Sequence, residues 1–312
     1  MSGLKFRRLD SIGAEVSGAD WTQPIADDVA RDLYAAWLEH GVLVFPRAGL
    51  DADVHLRLSR VFGELEEHPV KALHVKGRKD LIFFGGDETK GPGKMVDGEK
   101  LAGYLYAHQD MAYTPNLCKG SMLRMVIMPD RGGDTLFWDT ARAWRDLPAA
   151  TRERLRGLHS IHRMNVIPPR NPWGMPGHTV EALETEAELI ARRGYAADIP
   201  LIRHPMTITH PESGLVSLLL SPNSYVVIEG MAQAESDAFF DELTTHLFQP
   251  QYGYRHCWSL NDIVLWDNRR TVHMATGYPH EQTRLAYRTT LKGAMACGEY
   301  YKPADRKVAA TT

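Results

Sequence analysis

Short β-rich runs recur along the whole chain, and their spacing limits the folds open to it. They include Gly41-Val-Leu-Val-Phe45, Leu81-Ile-Phe-Phe84, Ser121 to Met128 and Asp134-Thr-Leu-Phe-Trp138. Tyr254 to Trp258, Asp262 to Trp266 and Leu285 to Leu291 continue the series. Pro205 to His210 and Leu215 to Leu220 read as a hairpin whose turn is Pro211-Glu-Ser-Gly214. Helical patterns are fewer: Ala26 to His40, Asp51 to Phe62, Ala141 to Leu158 with a break at Pro148, and Ala234 to Leu247. Asp51 or Asp53 is placed to cap the second helix. Many short strands with helices between them predict a mainly β fold with flanking helices, built on a jelly-roll core of two packed sheets.

The 312 residues suit one large β-rich domain spanning 1–312. A net charge of -3 advertises no nucleic-acid surface, and no apolar run approaches the roughly 20 residues of a membrane span. The first residues lack the apolar core of a signal peptide, so the expected setting is the cytoplasm. Three widely spaced cysteines, Cys118, Cys257 and Cys297, provide neither a disulfide framework nor a thiolate zinc cluster.

Two segments break the pattern. Gly85 to Gly103 carries six glycines and three lysines with little periodicity, and is expected to be a lid loop. Arg163 to Pro200 is a proline-rich insertion with a helix expected near Val180 to Arg193. It could cover a site or build a subunit contact.

Two imidazoles and one carboxylate can hold one face of a divalent iron and leave positions open for O2 and an organic acid. His108-Gln109-Asp110 offers such a pair after the strand-like Tyr104-Leu-Tyr-Ala107. Chance alone yields about two His-x-acid triplets in a chain of this composition. The second, His210-Pro-Glu212, is built like a hairpin tip. For the third ligand His273 has the best setting, after a strand running into a polar turn. His159, His162, His204 and His256 could make the same claim.

Trp266-Asp-Asn-Arg-Arg-Thr-Val-His273 resembles the Trp-Asp-Asn-Arg-x-x-x-His signature of the TauD/TfdA family of Fe(II)- and 2-oxoglutarate-dependent dioxygenases. Gly13 to Gly18, His40 to Phe45, Val61-Phe-Gly-Glu64, Gly132-Gly-Asp-Thr135 and Arg284-x-x-x-Arg288 match further blocks in order. The resemblance implies that His108, Asp110 and His273 bind iron. It implies that Thr135 and Arg288 bind 2-oxoglutarate, Arg288 at the C5 carboxylate, and that Arg284 is a second family arginine. It further implies a reaction in which 2-oxoglutarate and O2 are consumed, succinate and CO2 released, and a small organic acid oxidised, most simply by hydroxylation. Desaturation, ring closure or oxidative decarboxylation are alternative outcomes, and a metal-binding β-sandwich without catalysis is the non-enzyme alternative. Relatives are often dimers or tetramers, so a homo-oligomer is expected.

For the substrate, His68-Pro69-Val70-Lys71 resembles a His-Pro-Val-Tyr segment of taurine dioxygenases, with Lys71 in place of the Tyr. Tyr104 replaces an Asn that contacts taurine's amine. His68 and Lys71 suit an anion, and Tyr104 suits a flatter or more apolar body than taurine.

Overall fold

The computed structural model describes residues 3–67, 71–86, 92–164, 179–185, 187, 188, 190, 199–293 and 295–302. Two sheets form the core. The first has eight strands in the order Lys5–Arg8, Ala14–Ser17, Val42–Phe45, Ile263–Asp267, Gly120–Ile127, Leu285–Leu291, Arg78–Gly85 and His74–Val75. The second has six: Val180–Ala182, Lys94–Val96, Glu99–His108, Thr271–Pro279, Thr135–Asp139 and Gly253–His256. Almost all pairings are antiparallel, and the central neighbours of each sheet are far apart in sequence, as in the expected jelly roll.

Strand alternation sorts the apolar side chains into three layers. In Val42–Phe45 all four residues are buried. Leu43 and Phe45 face outward and pack with Leu33, Trp37, Val54 and Phe62 of the helices Asp27–His40 and Ala52–Phe62. Val42 and Val44 face inward and meet Phe137, Val264 and Trp266 between the sheets. The outer face of the second sheet packs Trp138 and Met274 against Phe239, Phe240 and Leu243 of helix Gln233–Leu247. Helix ends follow local chemistry. Asp51 accepts from the Val54 amide at 2.8 Å, and Pro148 separates helix Thr140–Asp146 from Ala149–Leu155.

The sequence expectations need four corrections. The glycine-rich segment is not one loop, because Lys94–Val96 and Glu99–His108 pair as a hairpin within the second sheet. Its two-residue turn, Asp97-Gly98, has φ of +50° and +82°, the conformation that tight hairpins require and that Gly adopts without strain. Lid character at 87–91 lies outside the described residues. Val180–Ala182 is a strand that extends the same sheet, not the start of a helix, and most of the 163–200 insertion also lies outside the described residues. The helix expected to reach Leu158 stops at Leu155, and His159–His162 pairs as a strand with Leu201–Pro205. Thr207–Thr209 and Val216–Leu218 form the hairpin, shorter than its sequence suggested.

Several imidazoles are buried in this frame. Burial, with Arg124 nearby, pushes His55 down to about 3. Burial alone pushes His204 down to about 4. Each is held neutral in the fold, while its ordinary value is 6.5. Below that value the unfolded chain binds protons that the folded chain refuses, so stability falls as pH drops from about 6.5 towards 4. The urea midpoint should therefore be lower at pH 5 than at pH 7; equal midpoints would contradict this account.

Candidate metal centre

Three side chains converge at the mouth of the inter-sheet space. His108 ends the strand Glu99–His108, Asp110 follows one residue after Gln109, and His273 lies in Thr271–Pro279 directly opposite His108. One donor atom from each lies within 4.8 Å of the others, and all three residues are buried. His108 Nε2 is 3.5 Å from Asp110 Oδ1, and His273 Nε2 is 3.8 Å from Asp110 Oδ2.

The protonation pattern suits a divalent cation. His108 Nδ1 lies 2.8 Å from the Tyr106 carbonyl, which can only accept. Nδ1 therefore carries a proton, and Nε2 is the ring atom turned to the site. Burial first, and repulsion by His108 second, hold His273 well below the usual imidazole range, which favours its neutral form. The rings of Trp266 and Phe137 fix its plane, at centroid distances of 4.8 and 6.1 Å. Burial pushes the Asp110 carboxyl up, but Arg288 and the two imidazoles outweigh it and hold the group well below the carboxylate range. Two imidazoles and one carboxylate, with no further His, Cys, Asp or Glu in the group among the described residues, match the donor set of an open non-haem iron site.

The turn after Ile263–Asp267 holds this geometry. Asn268 is wholly buried; its Oδ1 accepts from the Asp110 amide at 2.6 Å and its Nδ2 donates to the Asp110 carbonyl at 2.8 Å. Its own carbonyl accepts from Gln109 Nε2 at 3.1 Å. Asn268 thus holds Asp110 in place rather than entering the chemistry, and Gln109 has a supporting role that no sequence pattern signalled.

A cavity of about 410 Å³ opens on the triad. Its polar wall includes Thr135, Arg284 and Arg288, and its apolar wall includes Leu73, Phe84, Leu105, Leu123 and Tyr278. Arg288 Nη2 lies 2.6 Å from Asp110 Oδ2 and donates to Ser121 Oγ at 2.7 Å. Ser121 in turn donates to Asp110 Oδ2, a contact that the sequence did not suggest. Arg284 is set differently. It is 9% exposed, and its Nε has no hydrogen-bond partner. Burial pushes it down to about 10, and among the described residues no carboxylate lies in ion-pair range. It lies against Gly133, where a Cβ would meet Arg284 Cδ at 2.9 Å, two residues from Thr135. Thr135 Oγ1 accepts from Trp258 Nε1 at 3.0 Å, which leaves its own proton to donate.

The structure does not bring the substrate candidates together. His68 lies outside the described residues. Lys71 is exposed on the turn Lys71–Leu73, and Leu73 is the residue of that turn that reaches the cavity. Tyr104 borders the cavity but pairs with Thr276, and its ring packs with Tyr106 in the cluster on the sheet's outer face. Leu105 pairs with Ala275 and shares the metal-facing side. Alternation along the strand separates the two neighbours.

A family model for the taurine catabolism dioxygenases, the TauD/TfdA family, matches residues 5–290. The chain belongs to that family. It is an oxidoreductase whose class uses Fe(II), 2-oxoglutarate and O2. It is 29% identical over 301 residues to an alkylsulfatase of Acinetobacter baylyi, covering 95% of this chain and 87% of that one. It is 30% identical over 285 residues to an (S)-phenoxypropionate/alpha-ketoglutarate dioxygenase of Sphingobium herbicidovorans, covering 91% and 92%. A taurine dioxygenase structure from Burkholderia xenovorans superposes with a TM-score of 0.72 at 26% identity, covering 93% of this chain and 91% of that one. Among the described residues no helix is long and apolar enough to cross a membrane.

Replacing Asn268 with Ala leaves the Asp110 amide and carbonyl buried without partners. At about 1–3 kcal/mol for each orphaned group, urea denaturation should show a loss of roughly 2–6 kcal/mol. A loss below about 0.5 kcal/mol would contradict the clamp.

Proposed function

We propose that this chain oxidises a small organic anion with an apolar body, with His108, Asp110 and His273 holding Fe(II) and Arg284 with Thr135 holding the far carboxylate of 2-oxoglutarate. The observation that carries the reading is the buried guanidinium of Arg284 in the cavity beside the triad, with no carboxylate in ion-pair range among the described residues and no hydrogen-bond partner for its Nε. A buried cation without a counter-ion is costly, and a bidentate carboxylate satisfies it. Arg288 differs because it is already paired with Asp110. This division departs from the sequence expectation, which gave the C5 carboxylate to Arg288. That guanidinium lies too close to Asp110 to receive the end of 2-oxoglutarate that points away from the metal.

When bound, the iron supplies activation of O2 coupled to oxidative decarboxylation of 2-oxoglutarate. The protein's residues prepare that chemistry. Nε2 of each histidine and the Asp110 carboxylate occupy one side of the site and leave the cavity side open. Thr135 donates its proton towards the carboxylate that Arg284 grips. Arg288 and Ser121 keep Asp110 ionised and oriented, and Arg288 remains the cation nearest an anionic substrate head. Phe84, Leu105 and Tyr278 wall the cavity with apolar surface, which excludes water and favours a carbon-rich body. The named activities of the relatives, on alkyl sulfates and on a phenoxypropionate, share an anionic head on an apolar body. The three free cysteines are compatible with a cytoplasmic setting.

Anaerobic addition of Fe(II) and 2-oxoglutarate should produce a weak visible charge-transfer band, and Asp110→Ala should lose both the band and succinate release. Turnover at the wild-type rate in that variant would sink the triad assignment. In the same titration Arg284→Ala should weaken 2-oxoglutarate binding by roughly 1.5–3 kcal/mol. Arg288→Ala should leave that affinity nearly unchanged and raise KM for whichever organic acid or sulfonate supports turnover. The reverse pattern would return the C5 carboxylate to Arg288.

A further inference from the structure

The hairpin Thr207–Thr209/Val216–Leu218 contributes no residue to the cavity, yet it grips both turns that carry the triad. His210 sits at its tip and is 2% exposed. Its Nδ1 accepts from the amides of Glu212 and Ser213, at 3.2 and 3.0 Å. Amides only donate, so Nδ1 holds a lone pair and the ring proton sits on Nε2. Nε2 therefore donates to Asp267 Oδ2 at 2.9 Å. The same carboxylate accepts from the Arg269 backbone amide and from its Nε and Nη2, at 2.8–3.0 Å. Arg269 Nη1 then reaches back to Glu212 Oε1 at 2.7 Å. His210, Asp267, Arg269 and Glu212 thus close a ring between the hairpin and the turn.

Asn268 stands between two members of that ring in the chain, so the ring fixes its backbone. Asn268 is the residue bonded to the Asp110 amide and carbonyl. The exit of the hairpin grips the other turn. Leu220 N donates to Gln109 Oε1 at 3.0 Å, and Ser221 Oγ accepts from the Gln109 amide at 3.2 Å. The hairpin therefore bears on Asp110 from both sides without touching it.

We propose that His210 and Glu212 are positioning residues of the metal centre, setting the place of Asp110 relative to His273 through Asp267, Arg269 and Asn268. This rests on the metal reading above. It gives a role to the His-Pro-Glu triplet, which composition alone cannot distinguish from a chance match.

Two replacements of His210 separate positioning from simple support. His210→Gln can keep a donor where Nε2 stands, and so the bond to Asp267. His210→Asn can keep only the acceptor where Nδ1 stands, and so the tip of the hairpin. Each variant is titrated with Mn(II) by electron paramagnetic resonance without 2-oxoglutarate, and its urea midpoint is measured in parallel. His210→Asn should bind Mn(II) about 10–100-fold more weakly than wild type, the range for losing a partner that orients a ligand. His210→Gln should stay within about threefold, whatever the two urea midpoints. Wild-type Mn(II) affinity in His210→Asn, or an equal loss in both variants, overturns the proposal. Should His210→Asn not fold, Glu212→Gln carries the test, since Glu212 is partly exposed. That variant should bind Mn(II) several-fold more weakly, and unchanged affinity overturns the proposal. Failure of the wild type itself to bind Mn(II) would instead remove the metal reading, which is a different result.

Discussion

A buried carboxylate governs the architecture around it. Asp110 is 5% exposed, and taking its charge out of water is expensive unless every oxygen is answered. Arg288 and Ser121 answer Oδ2, and the two imidazoles stand 3.5 and 3.8 Å from the carboxylate oxygens, where a shared cation would bind all three. The peptide at Asp110 is also buried, and Asn268 answers both its amide and its carbonyl from 158 residues away. Misplacing any of these partners would leave a charge or a backbone group stranded in the low-dielectric space between the sheets. The fold is therefore most tightly specified where its chemistry takes place.

Sheet alternation then decides which side chains that chemistry can use. Strand Glu99–His108 runs with one face towards the triad and the other towards helix Gln233–Leu247. One residue of offset sends Leu105 to the cavity and Tyr104 to the helix-covered cluster. Leu105 thus stands on the metal-facing side, while the Tyr104 ring packs against Tyr106 at the cavity's border. The same rule places Thr135, Phe137, His273 and Ala275 on one side, since Thr135 pairs with Ala275 and Phe137 with His273. Membership of the family extends over most of the chain, but contacts with the primary substrate depend on such local parity.

The relatives differ in the substrates their names carry, from a phenoxypropionate to a sulfate ester. In this chain the polar part of the cavity includes two arginines in unlike states, Arg284 out of ion-pair range of any described carboxylate and Arg288 tied to Asp110. Two cations beside a largely apolar wall give the cavity one charged region and one carbon-rich region.

The alternating runs and helix caps were legible in sequence because each depends on residues within a few positions of one another. The helix from Asp27 to His40, its neighbour capped by Asp51 and the break at Pro148 all follow from local chemistry. The grouping of His108, Asp110 and His273 was legible through ordered motifs, which stand in for a meeting of distant segments. Other features depended on pairings that no local pattern encodes. Lys94–Val96 is a strand because Glu99–His108 and Val180–Ala182 flank it, despite its glycine-rich surroundings. His210 has its place because Asp267 stands opposite it. The sequence by itself determined the elements, the donor types and the family; only the tertiary structure decided which arginine is tied to Asp110 and which neighbour of a pair faces the metal. Burial energies and strand register are properties of several segments at once, and they take values only when the chain has closed on itself.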